Sequence, residues 1–158
     1  EYKTTTFKSF EVSYTNGWTK GFSLFVDSNK IYLLPQRWDT TYFGILPDTI
    51  FRIIDTTFLK IQSDKQIKSK DGGCVDCPIL ALKIISKGDT IRINQIGKLD
   101  SIFYPLIKSL QTFVDKSRHQ SIRSVVWLDT KFIVSPPPPP VDENTKFTPS
   151  PASKQSGR

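Results

Sequence analysis

The chain has 158 residues, a length typical of one domain, and 22 Lys and Arg against 15 Asp and Glu give it a net charge of +7. The last 23 residues, 136–158, hold most of the prolines and offer only Val141 and Phe147 as large apolar groups. They cannot bury enough surface to offset their chain entropy. Residues 1–135 are therefore expected to form a single globular domain, and the lack of any long apolar run excludes a helical membrane span.

Apolar residues alternate in the first segment, with Phe10, Val12 and Tyr14 on one face and Glu11 and Ser13 on the other, which predicts a strand. Asn16-Gly17 marks a turn. Phe22, Leu24 and Val26 alternate next, and Asp27-Ser28-Asn29 turns the chain into 30–34, a predicted β-hairpin that Pro35 is expected to stop. Residues 40–46 predict a fourth strand, rich in β-branched and aromatic side chains. Pro47 then changes the period. Ile50, Phe51, Ile54, Phe58 and Ile61 fall on one helical face, with Pro47 suited to the first helical position.

A polar, lysine-rich loop follows over 62–76, with Gly72-Gly73 inside it. Residues 79–86 and 90–95 predict a second hairpin across Lys87-Gly88-Asp89. The stripe Leu106, Ile107, Leu110, Phe113 and Val114 predicts a second helix after Tyr104-Pro105. Residues 121–134 read as two short strands around Leu128-Asp129-Thr130, a last hairpin. Strands joined by short turns imply antiparallel pairing, so the expected class is α+β: a mainly antiparallel sheet, ββββ-α-ββ-α, with two helices on one face.

The strand and turn Phe10-Glu11-Val12-Ser13-Tyr14-Thr15-Asn16-Gly17, the helix start Leu46-Pro47-Asp48, and the helix segment Pro105-Leu106-Ile107-Lys108-Ser109-Leu110 resemble small exported domains of unknown function from Bacteroidetes-type bacteria. The resemblance covers roughly residues 7–118 and stops after Gln120. It implies export to the periplasm, outer membrane or cell surface and brings no activity. The sequence contains no Met and begins at Glu1, for which removal of a signal peptide is the simplest account and trimming the competing one.

Chemistry has few places to sit. Cys74-Val75-Asp76-Cys77-Pro78 allows a local disulfide, a redox-active pair, or two metal ligands. A structural zinc site needs two more soft ligands, and the sequence offers one histidine, His119, and no further cysteine. A redox cysteine is normally activated at a helix N-terminus, whereas this motif precedes a predicted strand and carries Asp76, which would raise a thiol pKa. The structural disulfide is the leading reading. Any Ser-His-Asp or Cys-His scheme must pass through His119, in the basic stretch Lys116-Ser117-Arg118-His119-Gln120. The aspartates fall mostly at predicted turns, and no phosphate-binding or dinucleotide-binding loop is present. No catalytic residue, cofactor or metal is expected.

Aromatic and basic residues cluster at Trp18 and Lys20, and at Arg37, Trp38 and Tyr42, in loops at strand ends where binding hot spots concentrate. The alternative is that each Trp folds back onto the sheet edge. Pro136, Pro137, Pro138, Pro139 and Pro140 impose a polyproline II geometry, which serves both as a ligand for aromatic grooves and as a spacer, and Phe147 beyond them is a possible anchor. The tail contributes +1, leaving +6 on the body, which favours anionic partners or merely solubility. No nucleic-acid motif appears, and membrane association would be indirect or through a processed anchor. The expected function is a non-enzymatic binding or assembly protein of the bacterial envelope that docks a protein partner through its tail. The alternatives are an immunity or inhibitor protein for a secreted toxin and a CxxC redox protein.

Overall fold

The computed structural model describes residues 7–17, 21–37, 39–74 and 76–134. The elements run β1 (Phe7–Thr15), β2 (Phe22–Asp27), β3 (Ile31–Arg37), β4 (Thr40–Ile45), α1 (Asp48–Ser63), β5 (Ile79–Ser86), β6 (Thr90–Ile96), α2 (Phe103–Lys116), β7 (Gln120–Arg123) and α3 (Asp129–Val134). All seven strands form one antiparallel sheet in the order β6-β5-β1-β2-β3-β4-β7. The α+β class and both internal hairpins agree with the sequence patterns.

The period-two pattern decides which way β1 faces. Phe10, Val12 and Tyr14 pair in register with Val26, Leu24 and Phe22 of β2 and with Ile84, Leu82 and Leu80 of β5. These side chains form the floor of the core, and α1 and α2 close it. Helix α1 buries Phe51, Ile54, Phe58 and Ile61; helix α2 buries Phe103, Leu106, Leu110 and Phe113. The Phe7 ring locks the α1 side, with its centroid 5.6 Å from that of Phe51 and 5.9 Å from that of Phe58. Burial on this scale offsets the weak helix propensity of the Thr- and Ile-rich α1. Asp48 in its first turn takes an ion pair from Lys30 Nζ at 2.6 Å, placing negative charge at the positive end of the helix.

Two local expectations are corrected. The predicted C-terminal hairpin does not form: its first arm is β7, which pairs with β4, and its second arm is the short helix α3. Helix α3 packs on β1 and β5, on the face opposite α1 and α2. Glu11 and Ser13, which point to that face, hold it. The Thr130 N–H donates to Glu11 Oε1 at 2.6 Å, and the Thr130 and Ser13 hydroxyls lie 2.8 Å apart. Capping by a carboxylate 119 residues away overrides the strand propensity of this β-branched segment. Secondly, Pro35 does not stop β3, because pairing with β2 ends at Leu33 and only β4 continues alongside. Its missing N–H therefore sits at a locally unpaired edge, as proline in a sheet requires. The lysine-rich segment is a loop, as expected, and it also covers a sheet edge. Lys70 bridges Gln95 in parallel, with the Lys70 N–H donating to Asn94 O and the Ile96 N–H to Lys70 O.

Gln95 secures that cover. It is fully buried; its Nε2 donates to Lys68 O at 2.9 Å and to Asp100 Oδ2 at 2.6 Å, and its Oε1 accepts the Asp100 N–H at 2.8 Å. Lys70 Nζ closes the other side of the Asp100 carboxylate.

Three carboxyls sit below their ordinary range. A hydrogen bond from Lys30 lowers Asp48, one from Lys70 lowers Asp100, and one from Lys83 lowers Asp129. Groups lowered by folding add stability above their unfolded pKa of about 4, and that stability is lost as pH falls through the folded values. Asp55 acts in the opposite sense, since burial raises it. The melting temperature is expected to hold from neutral pH to about 5 and to fall below about 4, as three lowered groups outweigh one raised group. A pH series of thermal melts checks this. A melting temperature that stayed flat to pH 3 would remove these pairs as contributors.

Candidate functional site

Only part of the predicted binding cluster lies within the described residues. Trp18, Lys20, Trp38, Pro136–Pro140 and Phe147 fall outside them. For Arg37, only the backbone position opposite Thr40 is described. Tyr42 stands on the helical face, half-buried, with its ring stacked on His119 at 5.2 Å and 10°.

His119 is consequently a packing residue. Its ring also meets Phe113 and Tyr32 edge-on. Its Nε2 lies 3.2 Å from Val114 O, and its Nδ1 lies 2.8 Å from the Tyr32 hydroxyl. A carbonyl can only accept, so Nε2 carries the proton and Nδ1 accepts from Tyr32 in the neutral ring. Both nitrogens thus join α2 and β3 to the start of β7. The Tyr32 ring needs the bare backbone of Gly44 beside it, because a Cβ there would lie 3.0–3.2 Å from the ring and hydroxyl. Gly44→Ala is expected to cost about 1–3 kcal/mol by overpacking. Urea unfolding checks this, and an unchanged midpoint would show that Tyr32 can yield.

Cys74 and Cys77 stand with their Cα atoms 5.9 Å apart and their sulfurs at disulfide distance. The pair lies in a loop entering β5, with no helix beginning there. Gly17 of the β1–β2 turn presses on the same loop: a Cβ on it would approach Asp76 backbone atoms to 3.1–3.3 Å, and its φ is +76°. Both facts require glycine. Among the described residues, no group of three or more His, Cys, Asp or Glu is placed to hold a metal ion.

The most unusual surface is the second face of the sheet, which the sequence patterns left unassigned. The segment after β7 crosses it, tied by the Thr41 hydroxyl donating to Ser124 O at 3.0 Å, and reaches α3. There Lys83 and Arg92 meet Asp129 at 2.5 and 3.5 Å. The crossing buries Thr41, Pro35 and Leu128. It leaves the rows Phe43-Leu33-Phe25 and Ile45-Ile31, which the strand register places side by side. Ile45 is 76% exposed and Ile31 46%, with Phe25, Leu33 and Phe43 half-buried beside them. The crossing segment adds Val125 and Trp127, 50% and 63% exposed, and β7 adds Ile122 at 41%. The residues signal this in one way: 31–34 and 42–45 are apolar at both parities, as in strands covered on two faces.

No family model matches the chain, and no curated protein or solved structure matches it either. Among the described residues, no helix is long and apolar enough to cross a membrane.

Proposed function

We propose that this chain is a non-enzymatic binding or assembly protein of the bacterial envelope that acts by docking a protein partner. The observation supporting the reading is the exposed apolar second face. Apolar surface outside the core marks interaction sites, and Ile31, Ile45 and Ile122 are exposed on one side of a sheet whose other side is the core, with Val125 and Trp127 exposed on the segment that crosses that side. Export to the periplasm or outer membrane is part of the proposal and rests on the resemblance of 7–118. The Pro-rich tail is proposed as a docking segment because it offers stiff polyproline and one aromatic anchor.

A pull-down comparing the full chain with one ending at Ser135, and with an Ile45→Glu variant, tests this. The expected result is one partner recovered by the full chain and depleted with either change. Equal recovery by all three would remove both the tail and the apolar face as docking elements.

A further inference from the structure

We infer that the outer edge of β7 is a strand-addition site that accepts an extended peptide alternating acidic and apolar residues. The inference deepens the binding reading by naming its partner's chemistry. The two ends of the sheet differ. At β6 the edge is covered, because Lys70 pairs alongside it through two backbone hydrogen bonds. At β7, which ends the strand order, no described strand lies outside, and all four residues are exposed. An uncovered edge offers a row of backbone donors and acceptors to an incoming strand.

The side chains fix which strand fits. Ile122 pairs with Thr41, so it points to the second face, one row away from the row that begins at Phe43, and is 41% exposed. Arg123 pairs with Thr40 and points to the other face, its side chain 87% exposed and held there in a long, solvent-exposed ion pair with Asp39 at 3.6 Å, for which an acidic side chain of an added strand would compete. Arg118 stands exposed just before the strand. Side chains of an added strand also alternate. Its apolar positions would lie beside Ile122, and its acidic ones beside Arg123. A second copy of this chain fits less well, because the body carries +6 and would present the same basic edge to itself.

The probe is a labelled eight-residue peptide of alternating Val and Glu, titrated into the full chain by fluorescence anisotropy. Two further peptides accompany it, one with Lys in place of Glu and one N-methylated at alternate residues. Expected are saturable binding of the acidic peptide, loss with Lys, loss on N-methylation, and at least about tenfold weakening in Arg123→Glu and in Ile122→Asp. Equal binding of the N-methylated peptide would overturn the assignment without any protein variant, since it removes only backbone pairing. Unchanged affinity in both variants would overturn it as well. Sedimentation showing a dimer abolished by Ile122→Asp would transfer the edge to self-pairing and overturn the peptide site. A partner captured equally by wild type and both variants would also overturn the edge, yet leave the general binding reading standing.

Discussion

Gln95→Leu should cost about 2–4 kcal/mol, the largest loss expected from any single polar side chain in this fold. The substitution preserves bulk and removes three hydrogen bonds at once. It strands the Lys68 carbonyl and the Asp100 N–H, and it leaves the Asp100 carboxylate with Lys70 alone. Because Gln95 is wholly buried, water cannot readily replace it. The effect should also be local in character. Hydrogen exchange at Lys70 and Ile96 should quicken first, since their amides carry the parallel bridge that covers β6. Urea unfolding with exchange at single-residue resolution checks both parts. A loss under about 0.5 kcal/mol would mean that the clamp is dispensable.

Glu11→Leu is expected to be the second most costly change, about 2–3 kcal/mol, with a different signature. Glu11 is nearly buried, and its carboxylate accepts the Thr130 N–H near the start of α3. Without it, α3 keeps the Ser13–Thr130 contact and the pairs of Asp129 with half-buried Lys83 and exposed Arg92, and because Asp129 itself is exposed each pair contributes little. Amides of 130–134 should exchange faster while those of β1 and β5 stay protected. Thr130→Val should give a smaller loss, since Ser13 retains its bond to Ser23 at 2.8 Å. If α3 amides remained as protected as in wild type, the carboxylate would not be what fastens the helix.

These two residues also show where sequence reading stops. Strands β1 to β6 are legible as alternating or continuous apolar runs bounded by turn residues, and both long helices as one apolar face of period 3.6. Helix α3 was not. Thr130, Ile133 and Val134 favour a strand, and the group that caps the helix lies at the other end of the sequence. Gln95 was invisible for a related reason: a lone glutamine at a strand end carries no local pattern, and its three partners come from two separate loops. For the site, a local disulfide is legible from the spacing of Cys74 and Cys77, whose sulfurs stand at disulfide distance, while Tyr42 is singled out only by its neighbours Arg37 and Trp38. The Tyr42 signal belonged to packing around His119. The exposed Ile31, Ile45 and Trp127 were passed over, because apolar residues at both parities simply read as strong strands.

The central place of β1 carries a consequence for how the molecule assembles. Its neighbours are β2, a short turn away, and β5, which begins at Ile79. A nascent chain can therefore form the β1–β4 meander early, but one edge of its oldest strand stays open until some seventy residues later have been made. The last contact, Thr130 with Glu11, closes a loop spanning most of the body. Such long-range pairing slows folding, and the waiting β1 edge is sticky. The sheet of a chain built this way closes only after β5 and the segment up to Thr130 have been made.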